Sequence, residues 1–166
     1  MAIDTLRRIV VFVVLCLVQA LVLNHIRLFG CATPLLYVYF TIVIPRGYPR
    51  WATLLWSFFL GLAVDMFSNT PGAGAASLTL IGLLQPYLIE LFVPREAAPN
   101  MKSSMATLGV TKFLTMSSLL VLLHCAVFYS VEMFNFTDLM QWGMNIVGSA
   151  LLTQMLIVPI ESVRKA

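Results

Sequence analysis

Charge is what this sequence has least of. Seven acidic and ten basic residues make up 10% of its 166 positions, against about 25% in a typical soluble domain. Hydrophobic residues reach 60%, above the roughly 45–50% of soluble chains. A water-soluble fold with so little charge could not cover its own surface, so the solvent is read as a lipid bilayer. The same composition excludes disorder and collagen. Cysteine is also scarce: Cys16, Cys31 and Cys125 show no Cys-x-x-Cys spacing, which argues against a disulfide framework or a metal cage. The net charge is +3, but the basic residues fall in short clusters between apolar runs. Without a continuous basic stripe, nucleic acid is not an expected partner.

Enzyme signatures are missing as well. There is no His-Glu-x-x-His, no Gly-x-Ser-x-Gly elbow and no Walker A loop. Asp65 and Glu90 lie at opposite depths of their spans, which argues against a paired acid and base. We expect no catalytic residue, cofactor or metal.

What the sequence does have is long apolar runs with short connections. A helix crossing about 30 Å of hydrocarbon needs about 20 residues. The candidate spans are 6–24, 31–45, 51–68, 72–92, 108–130 and 139–160. The expected fold is a single all-α transmembrane domain covering 1–166, with six spans or, failing one, five. Arg7 and Arg8 before Ile9–Leu23 imitate a signal peptide, and Leu28-Phe29-Gly30-Cys31 hints at a lipoprotein box. Asn24, His25 and Arg27 separate the two, so we expect a retained first span. The stretch 31–45 is only 15 residues long, with Pro34 near its start. It reads either as a short span or as a re-entrant segment.

Cytoplasmic loops carry the excess of Lys and Arg. Six spans with the N-terminus inside put nine basic residues in the cytoplasm and leave only Arg27 outside. Five spans put the N-terminus outside and score eight against two. Both arrangements make the C-terminus cytoplasmic. We take six, because Arg7 and Arg8 stand directly before the first span. Residues 132–138 then form an acidic outer loop.

Few polar residues interrupt the spans. Asp65, near the outer end of the third, is either a ligand or partner contact or a cap on the following turn. As a cap it would accept N–H groups from Asn69–Gly72. Gly72, Gly74 and their small neighbours through Ser77 open the fourth span and let another helix approach closely. Glu90 reads as a salt bridge to Arg95 or to a partner, or as a snorkelling carboxylate at the interface. His124 in the fifth span has no ligand partner at metal spacing and is expected as an interhelical hydrogen-bonding residue. Gln141 and Asn145 read as polar contacts between helices.

The stretch Gly61-Leu-Ala-Val-Asp65-Met-Phe-Ser-Asn-Thr-Pro71-Gly72 resembles the rod shape-determining protein MreD family. That family carries a Gly-x-x-x-Asp ending one span, a short turn and a Gly opening the next. Val22-Leu-Asn-His-Ile26, Ala32-Thr-Pro-Leu-Leu-Tyr37 and Gln85-Pro-Tyr87 are similar to it too, and Gln85 departs from a position expected to be basic. The resemblance implies an inner-membrane scaffold that binds MreC. Its wider complex would hold RodA, the partner transpeptidase of RodA, and MreB, all serving sidewall peptidoglycan synthesis. The resemblance also implies a fold similar to the substrate-binding membrane subunits of energy-coupling-factor transporters. The alternative function is therefore a small-molecule transporter subunit. That reading requires a polar-lined outer cavity, for which the sequence offers few residues.

Overall fold

In the computed structural model, residues 2–134 and 137–165 are described. Asn135 and Phe136, in the middle of the expected acidic loop, lie outside them. The helices are α1 (Ala2–Leu21), α2 (Val38–Ile42), α3 (Arg50–Ser68), α4 (Ala73–Phe92), α5 (Met105–Leu108), α6 (Val110–Glu132) and α7 (Leu139–Lys165). Five of them, α1, α3, α4, α6 and α7, are long and apolar enough to cross a membrane. The chain is an all-α, multi-pass membrane bundle.

Its surface is inverted relative to a soluble protein. Outward faces carry Val10, Val14 and Leu17 on α1, Phe58, Phe59 and Leu62 on α3, and Val147, Leu151 and Met155 on α7. Inside lie Gln19, Ser57, Ser77, Gln85, Ser117, Ser149 and Thr153. Lipid does not penalise exposed apolar side chains, whereas a polar group in hydrocarbon must find an internal partner. The core is built where α3 packs on α4, α4 on α6 and α6 on α7, with α1 against α3.

The expected second span is corrected by the structure. Residues 31–45 do not form a membrane-length helix. They contain only the five-residue α2, flanked by irregular backbone. The segment nevertheless runs through the middle of the bundle from one end to the other. At one end, Leu28 and Ala32 exchange backbone hydrogen bonds of 3.0 and 3.1 Å. At the other, the Arg46 N–H reaches the Met101 carbonyl at 3.0 Å. Between them, Leu35 through Ile42 are all buried.

Irregular backbone at membrane depth persists only where protein satisfies it, and here side chains from distant helices do so. The Thr33 N–H donates to Ser149 Oγ at 3.1 Å and the Leu35 N–H to Thr153 Oγ1 at 2.9 Å. Gln19 of α1 donates to the Pro34 carbonyl and accepts from the Leu36 N–H, both at 2.9 Å. Gln85 of α4 donates to the Ile44 carbonyl at 2.9 Å. The chain thus crosses its bundle six times, five times as a long helix and once as this buried strap. The first and last described residues therefore lie at one end, where Arg7, Arg8, Lys102 and Arg164 line a common groove. Arg27 stands at the opposite end.

The last helix also departs from expectation. It continues through Pro159 to Lys165 instead of ending at 160, and so carries Glu161 into the core at 1% exposure.

Candidate functional site

The turn between α3 and α4 is built around one carboxylate. Asp65 is 3% exposed. Its Oδ1 accepts the Gly74 N–H at 2.8 Å and the Thr70 hydroxyl at 3.0 Å, while Oδ2 accepts the Ala75 N–H at 2.9 Å. The first N–H groups of any helix lack intrahelical acceptors. Here the residue in the capping position is Gly72, which has no side chain to offer. Asp65, reaching over from α3, takes that role and places its negative charge at the positive end of α4. The capped donors are Gly74 and Ala75, two and three residues beyond the end of the expected Asn69–Gly72 stretch.

Gly61 makes the reach short enough. A Cβ on Gly61 would stand 2.5 Å from the Gly74 carbonyl oxygen and 2.6 Å from Ala75 Cα, and one on Gly74 would stand 2.5 Å from Asp65 Oδ1. The small-residue stretch is thus consumed within the chain, since Ala73, Gly74, Ala75 and Ser77 are buried. Pro71 and Gly72 remain exposed at the tip. Glu90 is far from this turn, exposed in the last helical turn of α4 beside the groove that Arg46 and Arg50 also line. No ion pair joins it to Arg95 among the described residues.

His124 is fully buried between helices, with its ring edge-on to Tyr37 at a centroid separation of 5.1 Å and close to the Ser77 backbone of α4. Gln141 and Asn145 do hydrogen-bond, the former to Cys31 Sγ at 2.9 Å and to Asn145 Oδ1 at 3.2 Å.

Two features escape sequence reading altogether. The first is a buried cluster at the terminus-bearing end. Glu161 accepts from the Tyr39 hydroxyl, from the Met105 N–H at 3.2 Å and from Arg164 at 3.3 Å. The second is a polar cavity of about 210 Å³ at the other end. Asn24, Arg27, Thr33, Tyr129, Glu132 and Asn145 line it, and the Tyr37 side chain, whose hydroxyl has no partner in good geometry, closes it. The expectation of few lining residues fails because these side chains come from four separate stretches of chain. Only the path of the strap brings them together.

No family model, curated protein or solved structure matches the chain.

Proposed function

We propose that this protein is a membrane scaffold of the MreD type, holding MreC within the machinery that builds sidewall peptidoglycan. RodA, its partner transpeptidase and MreB belong to the same wider assembly. The observation that carries this reading is that Gly61, Asp65 and Gly74 work as one unit. Gly61 and Asp65, two of the three residues on which the family resemblance rests, lock α3 to α4, while the third, Gly72, stands exposed at the tip of the turn. Such a lock presents a rigid outward surface, which is what a docking partner requires. The scaffold binds its partner differently in its two states and so biases the synthase between them.

Because the small-residue stretch is covered by the chain itself, docking falls to the outer face of α3. Trp51, Phe58, Phe59 and Met66 are exposed there, at spacings that form one helical face. A single-span partner lies along this face. The end bearing Arg7, Arg8, Arg46, Arg50 and Arg164 faces the cytoplasm of a bacterial inner membrane. Both chain termini are on that side.

The test is affinity purification from the native host in mild detergent, with partners identified by mass spectrometry. MreC and a wall synthase are expected in stoichiometric amounts, and Phe58→Ala with Phe59→Ala lowers their recovery at unchanged membrane level. A second reading is supported by the polar cavity, which the scaffold reading leaves without a role. A substrate-binding subunit of an energy-coupling-factor-type transporter carries its solute in an outward-facing cavity of this kind. Recovery of a membrane coupling protein with paired ATPases, in place of MreC, would establish that reading and overturn the first.

A further inference from the structure

At the end that carries the first and last described residues, a groove of about 150 Å³ opens between α1, the strap, the loop before α5 and the end of α7. Its rim is cationic and its wall is apolar. Arg7, Arg8, Lys102 and Arg164 stand around it, while Val11, Phe40 and Val43 form the wall. Among the described residues Asp4 is the one carboxylate on the lining, and Glu161 is spent behind it on Tyr39, the Met105 N–H and Arg164. Neither Arg7 nor Lys102 has an ion-pair partner among the described residues. The Arg8 guanidinium stacks on the Tyr48 ring at 3.8 Å, which holds it beside the groove.

Four cations from three separate stretches of chain, facing two carboxylates, leave an excess positive charge at one spot. Like charges gathered this way repel one another unless an anion lies among them. The position selects the anion. Arg7 and Arg8 come just before the lipid-facing stretch of α1 that includes Ile9, Val10, Val13 and Val14, and so sit at headgroup depth. The apolar wall suits the start of an acyl chain. Basic pockets between spans at this depth are the usual receptors for anionic headgroups, and arginine and lysine supply charge-assisted hydrogen bonds to phosphate oxygens.

We propose that this groove binds the headgroup phosphate of an anionic phospholipid, with one acyl chain lying along Val11, Phe40 and Val43. The lipid ties α1 to the strap and to the end of α7. This site is independent of the docking face on α3 and of whether MreC is the partner.

The test uses the full chain in nanodiscs of phosphatidylcholine with a minor fraction of phosphatidylglycerol, followed by native mass spectrometry of retained lipid. Phosphatidylglycerol is expected to be retained preferentially. Arg7→Gln with Lys102→Gln should weaken retention by about fivefold for each cation removed. Arg95→Gln with Lys112→Gln removes the same charge from outside the groove and should leave retention unchanged. All four residues are exposed, so folding is preserved, and an unchanged melting temperature checks it. Equal loss in both double variants would mean general surface attraction and overturn the site. Unchanged retention in the groove variant would overturn it too. Displacement of the lipid by inorganic phosphate alone would reassign the groove to a soluble anion.

Discussion

Asp65, at the end of α3, caps α4 through the backbone N–H of Gly74 at 2.8 Å, nine residues further along the chain. The hairpin thereby replaces a local cap with one supplied by the preceding helix. The two helices cannot separate without exposing two N–H groups and a carboxylate together.

Replacing Asp65 tests that coupling. Asp65→Ala leaves the Gly74 and Ala75 N–H groups without acceptors, at a cost of about 1–3 kcal/mol for each buried orphan. Asp65→Asn keeps one acceptor and should lose less. Hydrogen exchange at Gly74 and Ala75 is expected to rise in the order wild type, Asn, Ala. An unchanged rate in the alanine variant would show that the cap does not hold the turn.

Gly61 should be equally intolerant, for a steric reason. The added methyl of Gly61→Ala meets the Gly74 carbonyl at 2.5 Å, and backbone cannot swing aside as a side chain can. Overpacking of this kind costs about 1–3 kcal/mol. Gly143→Ala, where the new Cβ meets nothing within 4 Å, serves as the comparison and should leave the melting temperature in detergent unaltered. A Gly61→Ala protein that melts with wild type would mean α3 and α4 are not in close contact.

The strap depends on Gln19. Gln19→Leu preserves bulk but strips acceptor and donor from the Leu36 N–H and the Pro34 carbonyl. Two orphaned backbone groups at that depth cost about 1–3 kcal/mol each. Protease sensitivity should appear within 31–45 before it appears in the long helices. Gln19→Glu, which retains the acceptor for Leu36, should be intermediate.

Six crossings and five crossings differ in where the N-terminus emerges. With Cys31 replaced by serine, single cysteines at Ala2, Asn69 and Glu96 can be tested with an impermeant maleimide on oriented vesicles. Ala2→Cys and Glu96→Cys should label from one side and Asn69→Cys from the other. Labelling of Ala2→Cys together with Asn69→Cys would mean that the strap does not traverse the membrane.

Hydropathy located the long helices well because a membrane span is a local property of composition. The ranges 51–68 and 72–92 differ by one residue at one end from α3 and α4. Boundaries were less legible at the last span. There the expected end at 160 falls short, since the helix runs on to Lys165 and brings Glu161 inside. The turn motif was visible as a pattern in Gly61, Asp65 and Gly72, but not its partners, since a cap borrowed from another helix leaves no mark at the capped position.

The sequence by itself determined that this chain lives in a membrane, where most of its helices lie and that its basic residues gather at one end. Scarcity of charge and the length of apolar runs suffice for that. Only the tertiary structure decided that 31–45 crosses as a strap, because its backbone is satisfied by Gln19, Gln85, Ser149 and Thr153 from remote helices. The polar cavity and the cationic groove follow from the path of that strap. Hydrogen bonds between residues more than a hundred positions apart, such as Leu35 to Thr153, are set by packing, and no local pattern encodes them.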